Sequence, residues 1–168
     1  MKRFLFLIGC FFSTIATAST WQLANFTDNW DPIFFDRDSV IRLVDNKIHV
    51  QTAIVLHEDF PLKNKPYSFN LLLTLREIDI KTRAIRELRH VFYKDGDVVR
   101  TYEKPTPWVY VEEGTSGEDF FEQVLGNRLS IFRSTQCSLS ELVPFGRGMA
   151  KSTKSLVDMA IKKQGRTK

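Results

Sequence analysis

The chain has 168 residues, 43% of them hydrophobic and 26% charged, with a formal net charge of +4. That is the length of one domain, too apolar for intrinsic disorder and too charged for a polytopic membrane protein. Eight Gly and six Pro exclude fibrous and low-complexity classes, and two Cys exclude a disulfide-dense scaffold.

The chain opens with Lys2 and Arg3, an apolar run from Phe4 to Ile15, and Ala16-Thr17-Ala18. This is the order of a signal peptide, with a positive start, a short apolar stretch and a small-residue cleavage site. Residues 1–18 are therefore expected to be removed, leaving an exported chain that begins at Ser19. The run falls short of the roughly 20 apolar residues that a membrane span needs. Leu7-Ile8-Gly9-Cys10 offers an alternative, a lipobox with acylation at Cys10, although the apolar stretch before that Cys is short. After cleavage at Ala18, Cys137 is the lone thiol, so a buried and inert side chain is expected and no internal disulfide can form.

Trp21–Phe26 reads as a first strand and Phe34–Asp36 as a second, interrupted at Arg37-Asp38-Ser39 and resumed at Val40–Val44. Asp45-Asn46 reads as a turn, since both side chains tolerate left-handed geometry. Ile48, Val50, Thr52, Ile54 and Leu56 then alternate with their neighbours at period two, which predicts a strand with one apolar face. Glu58–Pro66 carries two prolines and reads as a loop. Tyr67–Ile80 is the next strand, and its Leu71-Leu72-Leu73 implies burial on both faces. Lys81-Thr82 turns the chain into Arg83–Lys94, where the two parities are equally mixed and the buried face stays open. A hairpin turn at Lys94-Asp95-Gly96-Asp97 leads to Val98–Glu103, and Trp108–Val111 closes the strands.

The helical part begins at Gly114-Thr115-Ser116-Gly117-Glu118, where Thr115 and Glu118 have capping-box spacing. Phe121, Leu125, Leu129 and Phe132 recur as one helical stripe, and Gly126 predicts an irregularity within it. A weaker helix is expected over Met149–Lys163, beyond Pro144 and Gly146. Strands followed by a packing helix give an α+β fold: a single antiparallel meander of about six strands, a C-terminal helix, and a basic, partly helical tail.

Charge divides the mature sequence. Residues 19–127 hold 13 Lys/Arg against 18 Asp/Glu, and residues 128–168 hold 9 against 2. We therefore expect a folded body over 19–127 and a basic extension over 128–168. One reading of the extension is a solvated tail that frays. The other is electrostatic contact with an anionic membrane surface through Lys162, Lys163, Arg166 and Lys168. Nucleic acid is not expected, because the tail lacks interleaved aromatics for base stacking and the chain is exported.

These ordered features resemble the surface-adhesin protein E family of Gram-negative bacteria. The matching pieces are Trp21, Phe34-Phe35-Asp36 with Ser39-Val40, Glu77-Ile78-Asp79, and the strand from Arg86-Glu87-Leu88 to Tyr93. The Asp95-Gly96 turn and Trp108-Val109-Tyr110 before a Gly/Ser-led helix complete the set. The resemblance spans roughly 21–127 and implies a six-stranded antiparallel sheet with a C-terminal helix. It also implies adhesion through host matrix or plasma proteins, although many relatives are plain exported proteins. Family members commonly carry a Cys after the Glu-Ile-Asp motif and another near the helix end. This chain has Ile80 and Leu125 or Gly126 there, which implies that apolar packing replaces a bridge.

No catalytic or cofactor signature stands out. His49 and His57 share strand parity but lie about 26 Å apart at roughly 3.3 Å per residue, too far to hold one metal, and His90 lies on another strand. Asp36-Arg37-Asp38 lacks the rest of a calcium loop and reads as turn capping. Ser134–Ser140 has no nucleophile elbow around Cys137, and Gly114–Gly117 lacks the ending of a phosphate loop. Trp30, amid Asp28, Asn29, Asp31 and Pro32, is the one aromatic placed to meet a partner from a loop; the alternative is a loop aromatic folded into the body. The expectation is a non-enzymatic exported binding protein without metal or cofactor, in the periplasm, the outer membrane or at the cell surface. Its partner would be a host matrix protein or an envelope component, and a homodimer is compatible with this. The alternative is a structural or assembly factor of the envelope whose basic tail docks to an anionic surface.

Overall fold

The computed structural model describes residues 19–62, 65–126 and 135–165. The leader segment with Cys10, Arg166 and Lys168, and the Leu129 and Phe132 part of the expected helical stripe lie outside the described residues.

Among the described residues, nine strands form one antiparallel sheet: β1 (Ser19–Phe26), β2 (Pro32–Asp36), β3 (Ile41–Arg42), β4 (Lys47–Pro61), β5 (Ser68–Asp79), β6 (Ala84–Lys94), β7 (Asp97–Tyr102), β8 (Val109–Tyr110) and β9 (Thr135–Cys137). Helix α1 (Ser116–Leu125) precedes β9, and helix α2 (Leu139–Gly165) follows it. The sheet order is β7-β6-β5-β4-β2-β1-β9, with β3 paired to β4 and β8 to β6. The expectation of about six strands is corrected to nine. Three of them are ladders of two or three residues, and β9 comes from the segment expected to be a solvated tail. Its register on β1 is Ser19↔Cys137, Thr20↔Gln136 and Trp21↔Thr135.

Local chemistry explains the turns. Asp45 and Asn46 adopt positive φ of 67° and 59° before β4, and Asp95 and Gly96 adopt 51° and 99° between β6 and β7. Glu58–Pro66 is not wholly a loop. After a register irregularity between Val55 and Phe60, β4 pairs Phe60 with Phe69 and Pro61 with Ser68, so Pro61 ends the strand and interrupts nothing beyond it.

The core has two layers because both faces of the sheet are covered. On one face, Ala24, Phe35, Ile48, Val50 and Ile78 pack with Phe120, Phe121 and Val124 of α1. On the other, Trp21, Leu23, Phe34, Ala53, Val55 and Leu71 pack with Leu142 of α2. Successive strand residues point to opposite faces, so Phe34 and Phe35 enter different layers. Along β4 the fully buried apolar residues shift from the Ile48 and Val50 parity to that of Ala53 and Val55. The single apolar face expected for that strand is therefore two half-faces, each under its own helix.

Both helices start with reciprocal caps. Thr115 Oγ1 accepts the Glu118 N–H at 3.3 Å, and Glu118 Oε2 accepts the Gly114 N–H at 2.9 Å. Gly126 does not sit as an irregularity inside the helix. It ends α1 in the left-handed region at φ 80°, with its N–H bonded back to Gln123 and Glu122. For α2, the Ser138 N–H donates to Glu141 Oε2 at 2.7 Å, while the Glu141 N–H donates to Ser138 Oγ at 3.4 Å. This Ser-x-x-Glu box starts α2 ten residues before the expected Met149 and carries it through Pro144. Ile80 and Leu125 both pack against the α1-side cluster.

Candidate functional site

The outer side of β6 is bordered by a single broken margin. β7 pairs with its upper half through His90↔Tyr102, Phe92↔Arg100 and Tyr93↔Val98. β8 pairs with its lower end through Ala84↔Tyr110 and Ile85↔Val109. Pro105 and Pro107 lie between them and, lacking N–H groups, cannot extend a ladder. Thr106, between the prolines, holds the loop to the sheet. Its N–H donates to Glu87 O at 2.9 Å, and its hydroxyl accepts the Glu87 N–H at 3.0 Å.

This margin concentrates exposed apolar side chains: Val98 is 57% exposed, Tyr102 39%, Val109 67% and Tyr110 70%. An aromatic band leads to it from inside the sheet. Phe60 meets Phe69 at 5.7 Å between ring centroids, Phe69 meets Phe92 at 4.8 Å, and Phe92 meets Tyr102 at 5.8 Å, all edge to face. The Arg100 guanidinium lies 4.1 Å over the Tyr102 ring. Trp108, next to β8, is fixed differently. Arg86 lies 4.5 Å and Lys47 5.9 Å from its ring, and Arg86 is itself paired with the buried Glu77. A rigid backbone therefore presents tyrosines and valines to solvent, while the neighbouring Trp stays pinned.

Trp30 lies elsewhere. It is half-buried at φ 66°, 6.4 Å from the Phe26 ring, and borders a small hollow with Asn29, His57, Ala150 and Lys151. Its loop is pinned by buried Asp31, which receives the His57 N–H at 2.8 Å and lies 2.6 Å from His57 Nδ1. Lys162 and Lys163 lie on α2, whose Ala150–Lys151 turn passes Trp30. Arg166 and Lys168 lie outside the described residues.

The other candidates take structural partners. His49 lies 3.6 Å from Glu77, and His90 lies 3.4 Å from Glu87. Asp36 caps the turn at Arg37–Ser39 through the Asp38 N–H at 3.0 Å. Cys137 is partly buried on β9, and burial, then Glu141, pushes its thiol up. Val98, Tyr102, Val109 and Tyr110 carried one sequence signal of their site, the Pro105/Pro107 pair that marks an edge.

The fold is thus an α+β antiparallel sheet with a helix on each face and an apolar open margin. No protein-family model and no curated protein matches the sequence. Among solved structures, the chain is similar to Haemophilus influenzae protein E in crystal form II, with a TM-score of 0.46 and 10% identity over 56% of this chain and 80% of that one. So slight a likeness transfers no property of that protein to this chain.

Proposed function

We propose that this chain is an exported, non-enzymatic binding protein that holds a protein partner along the β7–β8 margin, as a surface adhesin holds a host matrix or plasma protein. The observation that carries this reading is the placement of Val98, Tyr102, Val109 and Tyr110, all exposed, on one edge that is unpaired among the described residues. Unpaired backbone groups offer main-chain hydrogen bonds to an extended segment, and Tyr, with Arg100 stacked on it, is an energetic anchor at interfaces. The prolines keep the edge from being long and flat, which guards it against indiscriminate pairing. The leader-like residues 1–18 support export. The test measures binding of residues 19–168 to a panel of purified matrix and plasma proteins. The expected outcome is saturable binding to at least one, lost by roughly tenfold or more in Tyr102→Ser/Tyr110→Ser, the loss of a hot-spot pair. A folded protein that binds none of them, or a variant that binds as well as its parent, removes the proposal.

A second reading is an envelope assembly factor docked to an anionic membrane. It is favoured by the course of α2, which continues as one helix to Gly165 and includes Lys162 and Lys163. Sedimentation with phosphatidylglycerol vesicles that is unaffected by removing residues 156–168 counts against it.

A further inference from the structure

Where α2 begins, Leu139 and Val143 pack against the cluster around Leu71 and Leu142, but helix and sheet leave a hollow beside that contact. Leu142 is fully buried in the core, while Leu139, Val143 and Pro144 line the hollow together with Leu71 and Tyr93. The hollow is a cavity of about 340 Å³, bounded at one end by Asp95 and Gly96 of the β6–β7 turn. Its volume is at the small end of the ligand-pocket range, room for one ring or a short alkyl chain.

The wall chemistry narrows the ligand. Leu71, Leu139, Val143 and Pro144 offer hydrocarbon, Tyr93 an aromatic ring, and Asp95 is the one charged side chain among the described lining residues. The Asp95 carboxylate lies 2.8 Å from Lys94 Nζ and accepts Asn70 Nδ2 at 2.7 Å. Those contacts, Lys94 first, hold its carboxyl below the usual carboxylate range, so it is ionised at neutral pH. The Lys94 ammonium is shared with Asp59 at 2.7 Å, and Asp59 also receives Arg147 at 2.8 Å. Asp95 remains 67% exposed, with room for a further donor. An occupant must cover the hydrocarbon wall and bring a proton donor, best a cation, to the carboxylate. A ligand ending in an anion would meet like charge.

We propose that the cavity between α2 and strands β5 and β6 binds small apolar amines, with the apolar body against Leu71, Tyr93, Leu139 and Val143 and the ammonium at Asp95. The site adjoins the β7 end of the margin through the β6–β7 turn, and the proposal does not rest on a protein partner held there.

The test titrates residues 19–168 with 2-phenylethylamine, 2-phenylethanol and 3-phenylpropionate at one pH and ionic strength, followed by methyl NMR. The amine should bind roughly three- to tenfold more tightly than the alcohol, the worth of a partly exposed charge pair, and the acid should bind more weakly than both. The shifts should fall on the methyls of Leu71, Leu139 and Val143. Asp95→Asn should bring amine and alcohol together, and Val143→Trp should abolish binding with the far-UV spectrum unchanged. Absence of saturation by the amine, shifts located away from those methyls, or amine preference kept in Asp95→Asn overturns the proposal. The shift map decides the matter even where Val143→Trp fails to fold.

Discussion

Gly146 shows how closely a single position can be specified. α2 crosses β4 there, and a Cβ on residue 146 would sit 2.7 Å from Val55 Cβ, inside any real contact distance. The neighbouring Arg147 fastens the crossing by donating from Nε to Leu56 O at 3.2 Å. Gly146→Ala should therefore force the helix off the sheet and cost about 1–3 kcal/mol in urea unfolding. Val55→Ala removes the Cγ1 and Cγ2 contacts at 2.9 and 3.0 Å but keeps the Cβ at 2.7 Å, so the double variant should recover part of the Gly146→Ala cost and be more stable than the two single costs add up to. Strict additivity in that cycle would show that helix and sheet do not touch here. The same residue that would count against a helix in isolation, at about 1 kcal/mol relative to Ala, is what lets this helix pack.

At the scale of elements, α2 is clasped to the sheet by charge as well as by packing. Asp59 at the end of β4 takes Lys94 from β6 and Arg147 from α2. The Lys94 hydrogen bond, followed by Arg147, holds the Asp59 carboxyl below its ordinary value despite an opposing desolvation effect. Folding thus favours the ionised form. The stabilisation is full above about pH 4 and is lost as the pH falls through the lowered folded value. The stability gap between the parent and Asp59→Asn should be widest near neutral pH, close in strong acid, and shrink in high salt because the group is exposed. A gap that stays constant from neutral pH to pH 2 would contradict the clasp. Element existence was largely legible in the sequence: strand periodicity, the Asp45-Asn46 and Asp95-Gly96 turns and the Thr115–Glu118 cap are local features, and each is observed. The start of α2 was legible too, in Ser138-x-x-Glu141, but Pro144 and Gly146 mask it for any reading that treats them only as breakers. Which strand lies at an edge is only weakly local information: Pro105 and Pro107 point to it, while the alternation along β7 does not differ from that of a central strand. Attention accordingly falls on Trp30 and the terminal cations, while the exposed margin reads as ordinary sheet.

Over the whole molecule, the acidic body and basic extension expected from charge share a single sheet in the described part. β9 completes the β1 side, and Leu142 and Ala150 are buried. Burying Leu142 alone contributes about 2–3 kcal/mol, a large share of a domain's net stability of about 5–15 kcal/mol. A chain ending at Asn127 should therefore lose cooperative unfolding, whereas one ending at Ser155 should retain it, as circular dichroism during thermal melting would reveal. Equal melting of the two would mean that the second face needs no cover. The antiparallel match of Ser19 with Cys137 adds a constraint in time. β1 waits for a strand that follows it at long range in the chain, so a polypeptide emerging from a ribosome or a translocon leaves the free side of β1 unsatisfied until Thr135–Cys137 has been made. During that interval the nascent sheet has an adhesive border, and a holding chaperone or rapid completion of that segment separates correct closure from pairing with a neighbouring nascent copy.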